Sequence, residues 1–199
     1  VELIAEDLAD MDHPDARRLA QKVSVVERQC TRLESLLNDF LRLTRLNRLE
    51  LVAGSLNALL EQVLDFFEAD AQHRNVEIVR YLDGDLPIIK MDKQTLQAAL
   101  QNMVKNSMEA MSDGGQLVVR TRMMRSGVAV DLIDTGQGIG SSTLIKMFEP
   151  FYTTKDSGSG LGLPMAKKVI EAHGGVINVQ SEEGRGTQFT IEFPIPKRL

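Results

Sequence analysis

Three short tracts in the second half of the chain carry residue types that could bind a nucleotide. The first presents two side-chain amides, Asn102 and Asn106. The second begins with a carboxylate, Asp134, and continues as a glycine turn through residue 140. The third, residues 158–163, alternates glycine with small or apolar residues. Each tract alone is ordinary, but their order and close spacing together indicate a nucleotide site.

The amide tract could help to bind a metal ion. Asn102 and Asn106 are four residues apart and would share one face of a helix. Their neutral oxygens suit a Mg²⁺ ion whose anionic ligands come from phosphate groups. Lys105 could add a cationic contact to phosphate. Two surface asparagines would give the same pattern, so this tract needs the other two.

The acidic tract could recognise a base. Asp134 follows an apolar strand, and a carboxylate there can accept a hydrogen bond from an exocyclic amine such as adenine N6. Guanine carries a carbonyl at the equivalent position, so the contact would select adenine. Gly136 and Gly138 would let the backbone approach a flat ring closely. The alternative is a simple turn.

The third tract leads directly into a predicted helix. Free amides and the dipole at a helix start suit polyphosphate. The tract is neither a dinucleotide fingerprint, since no parallel strand–helix–strand unit surrounds it, nor a Gly-x-x-x-x-Gly-Lys-Ser/Thr loop. The intervening residues 141–157 have about the length of an active-site lid.

The elements that must position these tracts are helices and short strands in alternation. Apolar periodicity predicts helices over 56–72, 95–111 and 163–172. It predicts strands over 76–81 and 87–91 around a turn at 83–85, and hairpins from 117–124 with 128–133 and from 176–180 with 187–193. We therefore expect an α+β fold, a two-layer α/β sandwich with a largely antiparallel sheet and helices on one face.

The region before residue 52 has a different period. Apolar residues recur at alternating steps of four and three, which predicts a long helix with a heptad seam. The seam consists of Leu19, Val23, Val26, Cys30, Leu33, Leu37, Phe40, Thr44, Asn47 and Leu51. We expect a helical hairpin, truncated in its first arm, that pairs with a second chain in a dimeric bundle. The alternative is a helix packed on its own domain. Cys30 would be a small core residue.

Composition excludes some functions. The 199 residues carry a net charge of −5, which argues against nucleic-acid binding. A single cysteine rules out an intrachain disulfide and fits a reducing compartment. No apolar run reaches the ~18 residues of a membrane span, and no signal peptide is visible. Since the chain starts at Val1, we expect a cytoplasmic fragment whose upstream part could hold a membrane anchor.

Together the tracts resemble the catalytic and ATP-binding domain of bacterial sensor histidine kinases, within the GHKL ATPase superfamily. Residues 102–111 resemble its N box, 134–140 its G1 box, 148–155 its F box, 158–163 its G2 box and 186–191 its closing strand motif. The resemblance implies a Bergerat-type ATP-binding fold over residues 52–199. Residues 1–51 resemble part of the dimerisation and histidine-phosphotransfer hairpin.

The resemblance also implies roles for individual residues. Asn106 would be the Mg²⁺ ligand, with Asn102 beside it. Asp134 would hold adenine N6, with Thr187 nearby through water, while the G1 glycines admit the base. Backbone amides of the G2 box and Lys155 would face the phosphates of ATP. The implied binding residues are Asn102, Lys105, Asn106, Asp134, Gly136, Gly138, Ile139, Lys155, Gly160, Leu161, Gly162, Leu163 and Thr187.

The phosphoacceptor of the family is a histidine in the first hairpin helix, followed by an acidic residue and later by a proline. His13 is followed by Pro14 in a predicted loop, His73 ends a predicted helix, and His173 precedes two glycines. None fits the pattern. We therefore expect the acceptor upstream of Val1, and a fragment that binds ATP without completing its own phosphorylation.

The resemblance implies transfer of the ATP γ-phosphoryl group to a histidine and then to an aspartate of a response-regulator receiver domain. One alternative is an ATP-hydrolysing clamp like the chaperone and mismatch-repair members. Those proteins place a glutamate four residues before the metal asparagine, where this chain has Asn102, a poor base. Another alternative is a non-catalytic dimerisation scaffold, which the intact boxes disfavour.

Overall fold

The computed structural model describes residues 19–20, 22–27, 29–30, 49–155 and 158–195. Seven strands and four helices follow one another in the described ranges 52–155 and 158–195. They are β1 (Val52–Gly54), α1 (Leu56–His73), β2 (Val76–Tyr81), β3 (Ile89–Met91), α2 (Lys93–Glu109), β4 (Gly115–Met123), β5 (Gly127–Asp134), α3 (Ser141–Lys146), α4 (Gly162–Ala172), β6 (Val176–Glu182) and β7 (Gly186–Pro194).

The main sheet has five strands in the order β2-β4-β5-β7-β6. The pairs β4–β5, β5–β7 and β6–β7 are antiparallel, and β2–β4 is parallel. Because side chains alternate across a strand, every second residue faces the helices. Leu117, Val119, Val130 and Leu132 on this face are fully buried among side chains of α1, α2 and α4. The predicted α+β sandwich is confirmed.

Local signals explain where the helices begin. Ser55 precedes α1 and accepts a hydrogen bond from the Ala58 amide at 3.2 Å. Asp92 precedes α2 and accepts one from the Thr95 amide at 3.1 Å. Both are side-chain caps of the usual kind. Asp92 also accepts from the Glu50 amide at 3.1 Å, which ties the incoming chain to the start of α2.

His173, just after α4, joins that helix to the start of α2. Its Nδ1 donates to the Val169 carbonyl at 2.7 Å, so the neutral ring can accept through Nε2. That Nε2 accepts the Asp92 amide hydrogen at 3.0 Å. Because α2 and α4 pack together, this contact fixes one end of the helix pair.

Some pairings differ from expectation. The strands on either side of the turn at 83–85 do not form a hairpin, because β2 pairs in parallel with β4 while β3 pairs with β1 in a separate two-stranded sheet. Neither β1 nor α3 was predicted. Both are short, with three and six residues, so neither carries a clear period.

Upstream, residues 19–20, 22–27 and 29–30 are helical, as the seam predicts. Leu19 is 47% exposed and Val26 is 52% exposed in the single chain, and Cys30 is also exposed. Residues 49–51 are not helical, so placing Leu51 on the seam helix was wrong. The other seam residues from Leu33 to Asn47 lie outside the described residues, and the hairpin and the boundary at residue 51 stay predictions.

None of the helices within the described ranges combines the length and apolar character that a membrane crossing requires.

Candidate functional site

Asp134 ends β5 and is buried, with 3% of its surface exposed. Its Oδ1 accepts the amide hydrogens of Gly136 at 3.0 Å and Thr187 at 3.1 Å. Thr187 lies directly opposite on β7. Within the described part of the chain, both of the Asp134 carboxylate's hydrogen bonds of ordinary geometry fall on Oδ1 and none falls on Oδ2. One oxygen is therefore used to hold the carboxylate in place, and the other is available as an acceptor.

Burial raises the pKa of Asp134, and the Gly136 amide, the Ser107 hydroxyl and the Thr187 amide oppose this rise without cancelling it. Ser107 Oγ is itself buried and faces the Asp134 carboxyl, but this contact falls outside ordinary hydrogen-bond geometry, so the hydroxyl is only weakly bonded. Such a group beside a half-used carboxylate is typical of a pocket where a ligand or water completes the hydrogen bonds.

The turn after Asp134 is fixed on both sides. Gly138 has a φ of +69°, and a Cβ there would overlap the carbonyl of Glu182, so only glycine fits. The Gln137 amide donates to the carbonyl of Ala110 at the end of α2, at 3.0 Å. The Ile139 amide donates to Ser181 Oγ at 2.8 Å. These contacts hold the turn between α2 and the β6–β7 hairpin.

The glycine tract before α4 lies against the amide face of α2. Gly160 has a φ of +67°, and a Cβ there would meet the backbone of Phe151, whose amide donates to the Gly160 carbonyl at 3.0 Å. Gly162 begins α4, and a Cβ on it would lie 3.8 Å from Asn102 Cγ and 3.9 Å from Asn106 Nδ2. The start of α4 and the two amides therefore line the same space.

The segment between the two glycine tracts is called the lid here and comprises residues 141–155. It contains α3 and carries Lys155 at its end. Lys155 Nζ donates to Asn106 Oδ1 at 3.0 Å and forms an ion pair with the Glu109 carboxylate. Lys167 of α4 lies 5.1 Å from the ring centre of Phe148, which holds the start of the F-box tract against α4.

The predicted residues form two adjoining groups. Asn102, Asn106, Lys155 and Gly162 meet at the start of α4. Asp134, Gly136 and Thr187 meet at the end of β5. The two groups adjoin because Ser107, which influences the pKa of Asp134, directly follows Asn106 on α2.

Other predicted residues contribute less directly. Lys105 is 65% exposed and its ammonium lies 3.9 Å from Glu109 rather than beside Asn106. The Ile139 amide is already bonded to Ser181. Leu161 is buried, and Leu163 packs on the core.

Sequence reasoning missed Ser107, Glu109 and Ser181. Glu109 follows Asn106 by three residues on α2, so helical spacing could have suggested that the two share a face, whereas Ser107, one residue after Asn106, lies off that face. Among the described residues no group of three or more His, Cys, Asp or Glu could hold a metal ion.

Comparison with known proteins identifies the class to which this fold and site belong. Residues 91–197 match the family of histidine kinase-, DNA gyrase B- and HSP90-like ATPases, and this match covers more than half of the chain. The chain therefore belongs to that family.

Within the family its relatives are sensor histidine kinases. The chain is 33% identical over 181 residues to sensor histidine kinase ZraS of Escherichia coli (strain K12), covering 91% of this chain and 38% of ZraS. Two solved structures are also similar. ShkA in complex with AMPPNP has a TM-score of 0.75 at 27% identity, covering 96% of this chain and 41% of ShkA. ThkA in complex with the response regulator TrrA has a TM-score of 0.76 at 26% identity, covering 98% and 58%.

Proposed function

We propose that this chain is the ATP-binding kinase module of a two-component sensor histidine kinase. It would donate the γ-phosphoryl group of ATP to a histidine and, through that histidine, to an aspartate of a response regulator. The observation that carries the proposal is the buried Asp134 carboxylate, which uses one oxygen for two backbone amides and keeps the other as an acceptor, beside the weakly bonded buried hydroxyl of Ser107.

Adenine would occupy the pocket at the end of β5. Asp134 Oδ2 is the available acceptor for the exocyclic amine, while the backbone amides on Oδ1 keep the carboxylate oriented. Ser107 Oγ and the Thr187 hydroxyl, which shares a 2.9 Å hydrogen bond with Ser181, are the nearby polar groups that an ordered water could join. The narrow turn at Gly136 and Gly138 keeps side chains away from the ring.

The triphosphate would lie between α2 and the start of α4. The backbone amides of Gly160 and Gly162 lie at the start of α4, where the helix dipole favours anions. The Leu161 amide donates to Ser159 Oγ at 3.3 Å and would exchange this bond for one to phosphate. Asn106 would supply the protein ligand to Mg²⁺, with Asn102 beside it. The donor set fits this ion, because a neutral amide oxygen can share a hard cation with phosphate and water oxygens.

Bound Mg·ATP supplies the phosphoryl group and the metal charge that offsets developing negative charge. The chain's own residues contribute positioning and electrostatic stabilisation. Asn102 stands where hydrolysing relatives carry a glutamate, and an amide does not deprotonate water. The site therefore favours transfer to a side chain over hydrolysis.

The remaining assignments rest on the relatives. A response-regulator receiver domain is the proposed partner, supported by the ThkA structure, which contains the response regulator TrrA. Since the chain spans 38% of ZraS, the sensing region and the acceptor histidine are assigned to the rest of the protein. We also propose a homodimer through residues 1–51, a catalytic domain over 52–199 and action in the cytoplasm, where ATP is available.

The direct test replaces Asp134 with Asn and measures affinity for ATP and inosine triphosphate by calorimetry. The two backbone amides require an oxygen at the Oδ1 position, so the new NH₂ group must replace Oδ2. ATP affinity should fall about 10–100-fold, because an acceptor has become a donor facing the adenine amine. Inosine triphosphate, which carries a carbonyl there, should bind the variant no worse than it binds the unaltered protein.

Asp131→Asn is the matched control, since Asp131 is a fully buried aspartate on the same strand. It should leave ATP affinity unchanged at a temperature where the variant is folded. An Asp134→Asn protein that binds ATP as tightly as the unaltered protein would overturn the proposed adenine site.

A further inference from the structure

The end of the lid is folded so that it presents Lys155 to α2. The Lys155 amide donates to Thr153 Oγ1 at 3.1 Å, and the Gly158 amide donates to the Lys155 carbonyl at 3.2 Å. These two contacts fix the backbone of Lys155 on the side of the lid that faces α2, within reach of Asn106 and Glu109.

The Lys155 ammonium contacts two oxygen ligands on one face of α2. It donates to Asn106 Oδ1 at 3.0 Å and pairs with the carboxylate of Glu109, three residues further along the helix. The side chains of Lys155 and Glu109 are 39% and 31% exposed, so the pair is partly shielded from water. A carboxylate and an amide oxygen around a compact charge are the surroundings that a hard cation prefers.

We propose that Lys155 is the resident cation of the magnesium position in the nucleotide-free protein. The inference rests on the proposed function, in which Asn106 is the metal ligand. A Mg²⁺ ion coordinated by Asn106 Oδ1 would lie next to the Lys155 ammonium, which is 3.0 Å from the same oxygen, and the two positive charges would repel each other. With Mg·nucleotide bound, Lys155 would therefore leave Asn106, and Glu109, which Lys105 also faces at 3.9 Å, could contact the water shell of the metal.

The proposed exchange predicts that removing Lys155 strengthens the binding of Mg·nucleotide. If Lys155 occupies the metal position in most molecules, only the remaining fraction can bind Mg·nucleotide directly, and the apparent affinity is lowered in proportion to that fraction. A partly exposed ion pair is weak, so its removal should matter by only about two- to fivefold. If Lys155 were solely a phosphate contact, its removal would weaken binding instead. ADP separates the two effects because it lacks the γ-phosphate nearest the lid.

The experiment measures the dissociation constant of ADP by calorimetry, once with Mg²⁺ and once with a chelator. Lys155→Met should bind Mg·ADP about two- to fivefold more tightly than the unaltered protein, with no tightening in chelator. Lys155→Arg, which keeps the positive charge, should bind like the unaltered protein. Lys146→Met removes an exposed charge from the same lid and should change neither constant.

Three results would overturn the proposal. They are weaker or unchanged Mg·ADP binding by Lys155→Met, equal tightening with and without Mg²⁺, and tightening by Lys146→Met to the same extent. If the unaltered protein binds no ADP at all, the nucleotide site itself fails. That outcome is distinguishable, because the lysine comparison requires measurable binding by the parent protein.

Discussion

Two buried aspartates on β5 have different roles although they are the same residue type. Asp131 and Asp134 are three positions apart, so they point to opposite faces of the sheet. Burial raises the pKa of both, but at Asp131 hydrogen bonds from Thr190, Arg120 and Arg122 outweigh it and lower the pKa. At Asp134 the rise prevails. Asp131 is fully paired within the fold, whereas Asp134 retains an acceptor for something else.

The raised pKa of Asp134 predicts that ATP binding weakens in mild acid. Only the ionised carboxylate offers two acceptor oxygens, so affinity should fall as the pH drops through the folded pKa, above the ordinary aspartate value of about 4. Calorimetry between pH 7 and pH 4 checks this. Asp134→Asn controls for protonation of adenine itself and should show a flatter profile. Equal profiles for the two proteins would contradict the assignment.

At Asp134, the effect of pH on folding stability is opposite to its effect on ATP binding. Because the folded pKa of Asp134 is raised, its contribution to stability is present below the unfolded pKa and is lost as the pH rises through the folded pKa. The ionised carboxylate of Asp134 therefore works against folding at neutral pH, as expected of a group whose second oxygen is kept for a ligand.

For Asp131 we predict that the ionised carboxylate stabilises the fold. Asp131→Asn should lower the free energy of unfolding by about 1–3 kcal/mol, because Arg120 and Arg122 lose their charged acceptor. The lowered pKa means that this stabilisation is present above the unfolded pKa and is lost as the pH falls through the folded pKa. Urea unfolding at pH 7 and at pH 3 measures both.

Asp85→Asn is the control for that measurement, since Asp85 is exposed in a turn. It should change the unfolding free energy by less than about 0.5 kcal/mol. A loss from Asp131→Asn that stays equally large at pH 3 would show that the effect comes from packing rather than from charge.

At the scale of single residues, the sequence could predict those groups whose proposed role follows from residue type and position in the chain. Asp134 could be predicted because a carboxylate at the end of an apolar strand, before glycines, has few structural uses. Ser107 could not, because its role comes from its burial next to the Asp134 carboxyl, which only the fold reveals. Glu109 likewise gained a role only when the lid placed Lys155 on it.

At the scale of elements, a helix or strand could be predicted where the apolar periodicity was strong, but not where it was weak. The helices α1, α2 and α4 and the hairpins β4–β5 and β6–β7 were all predicted, because each spans enough residues to show one apolar face. The parallel pairing of β2 with β4 was missed because helix α2 and strand β3 separate them in the chain. Such long-range pairing leaves no local pattern.

His173 tests how the helix pair is held together. His173→Leu should lower the free energy of unfolding by about 1–2 kcal/mol, since the Asp92 amide loses its acceptor and the Val169 carbonyl loses its donor. His173→Gln should recover part of this loss, because its amide oxygen can accept from Asp92. Urea unfolding of the three proteins measures the difference.

His73 provides a matched control at the end of α1. Its Nδ1 contacts the carbonyl four residues earlier, that of Ala69, at 2.6 Å, but the residue is exposed. His73→Leu should therefore cost less than about 0.5 kcal/mol. Equal losses at the two histidines would mean that the bond to Asp92 contributes nothing.

At the scale of the whole molecule, the helical residues before 31 present apolar side chains that the chain itself leaves exposed. Leu19 and Val26 belong to the predicted seam, and each is about half exposed. Val25 is also exposed, at 46%, but lies off the seam. Exposure alone therefore does not separate a seam from an ordinary surface, and only association distinguishes them.

Val26→Glu and Val25→Glu make that distinction. Both replace an exposed valine in the same helical turn by the same charged residue, so their effects on helix stability should match. If the seam joins two chains, Val26→Glu buries a carboxylate and should weaken the dimer by at least about tenfold, or ~1.4 kcal/mol, whereas Val25→Glu should not. Sedimentation equilibrium measures the association, and ATP affinity should be the same in both variants because the proposed nucleotide-binding residues all lie between positions 102 and 187. The dimer seam would be contradicted if the two substitutions weakened association equally, or if the unaltered chain stayed monomeric at high concentration. The heptad pattern would then belong to a helix that packs on its own domain.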